Sequence, residues 1–131
     1  AIDFISSLGS GNSYREKLIS AYKKISVHEY ELASKLYTKL KSLNDLKIIG
    51  QDFSEKNRTP TVSFIHKKYS ANEICKKLAK ENICAWDGHF YALKAIQKLN
   101  LEKIGGITRL GVSIYNNQEE INRTVKAISM L

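Results

Sequence analysis

Residues 85–92, with the sequence AWDGHFYA, collect several reactive side chains around one glycine. Near neutral pH, His89 can act as an acid, a base or a hydrogen-bond donor, and a carboxylate, a phenol and an indole lie beside it. The stretch contains no serine or cysteine nucleophile, and Asp87 is too close to His89 in sequence to indicate a dyad. Gly88 permits a sharp turn between a strand and a helix. By themselves these residues favour a structural turn, with Asp87 as a local cap and Trp86 in the core; an active-site loop is the alternative.

A second candidate is Arg109, in a segment whose apolar side chains alternate over residues 107–115. The alternation predicts a strand whose core face carries Leu110, Val112 and Ile114, so Arg109 falls on the opposite face. Gly111 lies two residues further on and has no side chain to obstruct a ligand. Arginine presents a planar fork of donors that suits a carboxylate or a phosphate. Composition alone favours an ordinary surface arginine in an ion pair, and an anion site is the alternative.

The remaining histidines and cysteines do not indicate a further site. His28, His66, His89, Cys75 and Cys84 share no metal-ligand spacing, so we expect no metal. Two cysteines are too few for a disulfide framework. We therefore expect two reduced, mostly buried thiols in a cytosolic protein.

Length and charge limit the classes of protein to be considered. The 131 residues correspond to one domain, and 43% hydrophobic content with a single proline indicates a globular fold. No run of eighteen apolar residues is present, so no membrane association is expected. Although the net charge is +8, only four of the 21 basic residues are arginine and the lysines are spread along the chain. The lysine pairs are typical of solvated faces, and nucleic acid is not expected as a partner.

A long helix is predicted ahead of these candidates in the chain. Residues 1–11 resemble the last turns of a helix stopped by glycines, and Ser13 to Glu16 form a capping box. Apolar residues then recur at spacings of three and four, which predicts one amphipathic helix over residues 13–43. We expect residues 1–11 to be the end of a large domain or a linker, and 12–131 to be a smaller domain.

The rest of the chain alternates between strands and helices. The predicted fold is α+β, a small mixed or antiparallel sheet with helices packed on one side, entered by the long helix. The predicted strands cover residues 46–50, 59–65, 83–86 and 107–115, a polar loop covers 51–58, and helices cover 70–82, 91–99 and a final segment capped by Asn117 to Glu120.

Three segments, in this order, resemble a known family. They are RTPTVSF (58–64), ICAWDGHFYA (83–92) and TRLGVSIYNNQEEINR (108–123). Together they resemble the C-terminal, small domain of pyridoxal-phosphate enzymes of aminotransferase class V, in particular the cysteine desulfurase-like group. The resemblance covers essentially the whole chain and implies the small domain of a fold type I pyridoxal-phosphate enzyme.

The resemblance assigns roles to four residues. It implies that Arg109 grips the α-carboxylate of the amino-acid substrate, and that Gly88, His89 and Tyr91 lie on the active-site loop. Tyr91 occupies the position at which cysteine desulfurases carry the cysteine that receives sulfur. Cys84, seven residues earlier, is a poor substitute. The resemblance thus leaves the reaction open between an aminotransferase, a lyase and a desulfurase that works without that cysteine.

The resemblance also implies a cofactor outside these residues. The family's cofactor lysine, the aspartate facing the pyridine nitrogen and the phosphate-binding groups belong to its large domain, and none has a counterpart here. Since the chain starts with Ala1 rather than methionine, we expect a fragment that folds without catalysing, with pyridoxal phosphate bound only in the full-length protein. The expected partners are the large domain of the same polypeptide, a second subunit in a full-length homodimer and an amino-acid substrate. The alternative function is a stand-alone basic module that binds an acidic protein or RNA.

Overall fold

A computed structural model describes residues 1–54 and 58–131, and its elements follow the predicted order. A short 3₁₀ turn at Glu102–Ile104 precedes the last strand. The helices are α1 (Ile2–Ser7), α2 (Tyr14–Lys41), α3 (Ala71–Lys80), α4 (Leu93–Lys98) and α5 (Gln118–Ser129), and the strands are β1 (Leu46–Ile49), β2 (Thr61–His66), β3 (Trp86–Gly88) and β4 (Ile107–Gly111).

The strands form one four-stranded antiparallel sheet in the order β1-β2-β4-β3. β4 is therefore an inner strand, with Ser63 of β2 opposite Arg109 on one side and Trp86 of β3 opposite it on the other. Because side chains directly opposite each other share a face of the sheet, these three lie side by side. The predicted α+β class with an antiparallel sheet is confirmed.

The core lies between one face of the sheet and three helices. Val62, Phe64, Thr108 and Leu110 are at most 5% exposed; α2 and α3 contact the sheet, and α5 packs against both helices. The helices contribute buried residues at helical spacing, namely Leu32, Ala33, Leu36 and Leu40 from α2, Ile74 and Leu78 from α3, and Ile121 and Ile128 from α5. The helices are thus on one side of the sheet, as predicted, and the face that carries Arg109 is left open.

Capping boxes start the three long helices at the predicted residues. In each box, the side chain of the cap residue accepts a hydrogen bond from the backbone amide of a glutamate three residues later. The carboxylate of that glutamate accepts a hydrogen bond from the backbone amide of the cap residue. The pairs are Ser13 with Glu16, Ser70 with Glu73, and Asn117 with Glu120. Each pair satisfies backbone donors that the first turn of a helix leaves free.

The strand boundaries differ from the prediction near the candidate site. β3 covers residues 86–88 rather than 83–86, because Ile83 turns into the core before the chain pairs with β4. β4 ends at Gly111 rather than at residue 115, since the chain turns where the amide of Ser113 donates to Asn116 Oδ1. The long helix covers 14–41 instead of 13–43, and β2 covers 61–66 instead of 59–65.

Two burial predictions were wrong. Trp86 is 71% exposed rather than part of the core, because β3 directs it to the open face of the sheet. Cys84 is exposed and Cys75 is only half-buried, so the thiols are not mostly buried. The loop predicted over 51–58 lies partly outside the described residues. Among the described helices, none combines the length and apolarity needed to span a bilayer.

Candidate functional site

Arg109 lies in the middle of the open face of the sheet. Its side chain is exposed, between Ser63 and Trp86 of the neighbouring strands. Its guanidinium carbon is 3.9 Å from the centroid of the Phe90 ring, a distance typical of a stacked cation–π pair. The loop after β3 therefore folds back over β4 and contacts Arg109.

The charge of Arg109 is not neutralised by Asp87, the acidic residue of the neighbouring strand β3. Asp87 alternates to the helix side of β3, where its Oδ2 accepts a hydrogen bond from Asn72 Nδ2 at 3.2 Å. There it adds to burial, the larger cause, in raising the pKa of the Cys75 thiol to about 11. Within residues 1–54 and 58–131, the structure shows no carboxylate paired with Arg109. A planar donor fork thus faces the open side of the sheet with its charge available to an anion.

Unusual backbone angles shape the loop between β3 and α4. Gly88 has φ +121°, and the non-glycine residues Phe90 and Tyr91 have φ +50° and +60°. The loop is held by His89, whose Nδ1 accepts the amide hydrogen of Tyr91 at 3.1 Å and whose carbonyl accepts that of Ala92 at 2.8 Å. When the His89 ring is neutral its proton therefore lies on Nε2, which remains free to donate.

The phenol of Tyr91 points into solvent. Tyr91 is 99% exposed, and its ring centroid lies 6.2 Å from that of His89 in an edge-on arrangement. The two rings and Arg109 lie on the same side of the domain. They border a concave surface, lined by Trp86 to Tyr91 and Arg109, that encloses a volume of about 580 Å³. The arrangement can bind an anionic group at Arg109 and place an imidazole and a phenol beside it.

A close approach between two glycines holds the loop against the sheet. Gly88 is paired with Ile107, and a Cβ on Gly106 would collide with the Gly88 carbonyl. Gly106 also has φ +89°, a left-handed conformation that favours glycine. Gly106 thus permits β3 to reach β4 at the point from which the loop departs.

The structure brings together the four site residues named from the sequence. Gly88, His89 and Tyr91 lie on one loop, and Arg109 lies beneath it. The sequence reasoning did not identify Phe90 as a neighbour of Arg109, and it placed Trp86 in the core. The alternation in residues 107–115 shows which face Arg109 occupies, but the register that sets Trp86 beside it depends on pairing between distant segments.

The other candidate side chains lie elsewhere. Cys84 lines a different groove, with Tyr115, Asn116 and Arg123. His66 is buried beside Tyr69, and the Nε2 of His28 contacts the Asn116 carbonyl oxygen at 3.0 Å. Across the described ranges, no three histidine, cysteine or acidic side chains are grouped to hold a metal ion.

The amino-acid sequence is similar to those of two known proteins. The chain is 25% identical over 115 residues to a probable cysteine desulfurase of Methanothermobacter thermautotrophicus, covering 87% of this chain and 28% of that protein. It is 26% identical over 110 residues to the aminotransferase-like protein FGM3 of Gibberella zeae, covering 82% of this chain and 27% of that protein. The chain thus spans little more than a quarter of the length of these relatives.

A solved structure of similar fold was also found. The structure superimposes on the cysteine desulfurase of Thermococcus onnurineus NA1 with a TM-score of 0.78 and 21% identity, over 89% of this chain and 28% of that one. Residues 6–124 match the family model for aminotransferase class V. Because this match covers most of the chain, the protein belongs to the aminotransferase class-V family.

Proposed function

We propose that this chain is the substrate-binding small domain of a pyridoxal-phosphate enzyme of the cysteine desulfurase-like type, in which Arg109 binds the α-carboxylate of an amino-acid substrate. The observation that carries the proposal is the exposed guanidinium of Arg109, stacked on Phe90 and without a carboxylate partner among the described residues. A bidentate pair between arginine and a carboxylate combines strength with a defined orientation. The open face of the sheet would then cover the active site.

The concave surface does not fit the cofactor by itself. Its lining residues, 86–91 and Arg109, include one cation and no lysine, so they offer neither an amine to bind the pyridoxal aldehyde nor a cradle for the phosphate. Pyridoxal phosphate acts as an electron sink when an enzyme holds it beside an amino acid. The groups that hold it belong, in this proposal, to the remaining length of a protein like the relatives, of which this chain spans about 28%.

The N-terminal helices support a junction with another domain. Apolar side chains are exposed along α1 and the first half of α2, among them Phe4 at 57%, Tyr22 at 54% and Val27 at 59%. Such a row of exposed apolar residues is typical of a surface that packs against another unit. These exposed residues support our proposal that residues 1–11 are the end of a large domain or a linker and that 12–131 are the small domain.

Tyr91 restricts the chemistry of the loop. A phenol cannot become a persulfide, so no sulfur is transferred to this residue. His89 can still donate a proton from Nε2 or accept one there, depending on its protonation state. The proposal therefore includes transamination, elimination and a desulfuration that delivers sulfur to an acceptor other than residue 91.

The test replaces Arg109 in the full-length protein with its cofactor bound. We expect Arg109→Ala to weaken the binding of L-alanine by about 10-fold to 100-fold, because a hydrogen bond to a charged group contributes about 1.5–3 kcal/mol. Binding is measured from the change in cofactor absorbance on titration. Arg109→Lys should recover part of the affinity, since it restores the charge without the fork.

Arg123→Ala is the matched control, because Arg123 is an arginine of α5 that lines a different groove. It should bind L-alanine like the unaltered protein. Equal affinity of Arg109→Ala and the unaltered protein would show that Arg109 does not bind the carboxylate.

The alternative of a stand-alone basic module has no comparable feature. The lysines that contribute most of the net charge of +8 are spread along the chain between residues 17 and 126. A surface that binds a polyanion would instead concentrate its cations on one face.

A further inference from the structure

The ring stacked on the Arg109 guanidinium belongs to Phe90, a residue for which the sequence suggests no role. The ring is half-buried, and its centroid is 3.9 Å from the guanidinium carbon. Trp86 lies directly across the β3–β4 pair from Arg109 and is a larger aromatic residue, but the guanidinium stacks on Phe90. The position of the fork is therefore determined by the loop as well as by the strand.

Stacking on a ring leaves the donors of an arginine free. The ring contacts the face of the guanidinium, whereas the N–H groups lie in its plane and point outward from its edges. A carboxylate binds at an edge, through two parallel hydrogen bonds. Phe90 can therefore hold the plane of the fork without competing with a carboxylate, as an acidic partner would.

The backbone of the loop is strained in a way that delivers this ring. Phe90 and Tyr91 both adopt positive φ, a backbone conformation that residues with a Cβ rarely occupy. The two hydrogen bonds accepted by His89 and the stack on Arg109 hold this conformation. The same turn that exposes Tyr91 thus places Phe90 over β4.

We propose that Phe90 is a positioning residue, which orients the donor fork of Arg109 for the substrate carboxylate and couples the β3–α4 loop to carboxylate binding. This inference rests on the proposed function of Arg109. In this proposal the Phe90 ring contacts the Arg109 guanidinium, and the guanidinium binds the carboxylate. The conformation of the loop that carries His89 and Tyr91 therefore depends on whether the carboxylate is bound.

The stack itself is tested on the present chain by NMR. Side-chain protons of Arg109 near the Phe90 ring should show an upfield ring-current shift. Phe90→Leu should abolish this shift because it keeps an apolar side chain without a π face, and Phe90→Tyr should retain it. An Arg109 spectrum that is the same in Phe90→Leu and the unaltered chain would overturn the stack.

The functional step is tested on the full-length protein with its cofactor, by titration with L-alanine and with ethylamine, which lacks the carboxylate. We expect Phe90→Leu to weaken L-alanine binding by about 2-fold to 5-fold, in keeping with the strength of exposed cation–π pairs, and to leave ethylamine binding unchanged. Phe90→Tyr should bind both like the unaltered protein. A loss for both ligands would show a general structural role and overturn the proposal.

The two proposals fail in different ways. If Arg109→Ala leaves L-alanine binding unchanged, the proposed function fails. If Arg109→Ala weakens binding while Phe90→Leu does not, Arg109 keeps its role and the inference about Phe90 is wrong. If Phe90→Leu fails to fold, Phe90→Trp takes its place in the test. Tryptophan retains a π face, so the proposal requires that this variant prefer L-alanine over ethylamine as the unaltered protein does. A reduced preference would overturn the proposal.

Discussion

The charge on Arg109 is held by stacking rather than by an ion pair, and this difference matters for binding. An acidic neighbour would have to be displaced before a substrate carboxylate could bind, at a cost comparable to the bond gained. Asp87, the acidic residue nearest in β3, instead faces Asn72 and Cys75 on the helix side of the strand. Successive side chains of β3 point to opposite faces of the sheet, and Trp86 shares the face of Arg109. Asp87 therefore lies on the face opposite Arg109.

The exposure of Tyr91 leads to a prediction about residue 91. Because its side chain is 99% exposed, Tyr91→Cys should change the free energy of unfolding by no more than about 0.5 kcal/mol. In a Cys84→Ser background, the new thiol should react rapidly with a disulfide reagent. Cys75 should react slowly, because partial burial and Asp87 raise its pKa to about 11 and little thiolate forms.

Thiol reactivity is measured by the absorbance of the released reagent, with Cys84→Ser alone as the control. A slow reaction of the cysteine at position 91 would mean that the loop is covered in solution. Rapid reaction would show that the loop presents a thiol at position 91 to solvent.

At the scale of the elements, local signals specify the helices better than the strands. A capping box and a spacing of three and four residues are contained in one segment, so the starts of α2, α3 and α5 were predicted correctly. β3 has only three residues, and its limits depend on where β4 pairs with it. The prediction therefore placed this strand three residues too early and Trp86 on the wrong side.

The β3–β4 junction carries a prediction about two adjacent glycines. Gly105 and Gly106 both have positive φ, but only at Gly106 would a Cβ collide with the Gly88 backbone. We expect Gly105→Ala to lower the free energy of unfolding by about 1 kcal/mol through backbone strain. Gly106→Ala should cost at least about 2 kcal/mol more, because β3 must also move.

Urea unfolding of both variants, followed by the fluorescence of the single tryptophan, Trp86, measures the difference. Arg109 in the Gly106→Ala variant should also lose its ring-current shift, since the loop departs from β3. Equal destabilisation by the two substitutions would contradict the close approach of residues 88 and 106.

For the whole molecule, stability should depend on pH through one buried histidine. His66 is 6% exposed, its Nδ1 accepts the amide hydrogen of Lys68 at 3.0 Å, and burial is the main cause that lowers its pKa below 6.5. The unfolded chain therefore binds more protons than the folded chain between these two pKa values. The contribution of His66 to the free energy of unfolding is fully present above about pH 6.5. It decreases as the pH falls toward the lowered pKa of His66.

The free energy of unfolding, measured in urea from pH 8 to pH 5, should thus decrease with a slope of at most about 1.4 kcal/mol per pH unit. His66→Gln should flatten this slope, whereas His28→Gln, at an exposed position of α2, should not. A His66→Gln variant with the original slope would assign the dependence to other groups.

A second loss of stability is expected at lower pH. Hydrogen bonds from the capping residues lower the pKa of Glu16 and Glu73 below 4.5, and hydrogen bonds from the Asn116 side chain and the Asn117 amide lower that of Glu120. Their contribution is present above about pH 4.5 and is lost as pH falls through the lowered values. The first loss of stability begins near pH 6.5 and the second near pH 4.5, and His66→Gln removes the contribution of His66 without changing these glutamates.

The sequence by itself determined the element types, the order, the helix starts and the face on which Arg109 lies, because each depends on periodicity or capping within one segment. Tertiary structure alone decided what surrounds Arg109. Two contacts join residues about twenty positions apart, namely Phe90 with Arg109 and Gly88 with Gly106. The exposure of Trp86 likewise follows from the pairing of β3 with the distant β4. Such contacts depend on strand register and on two residues with positive φ, and neither leaves a periodic signal in the sequence.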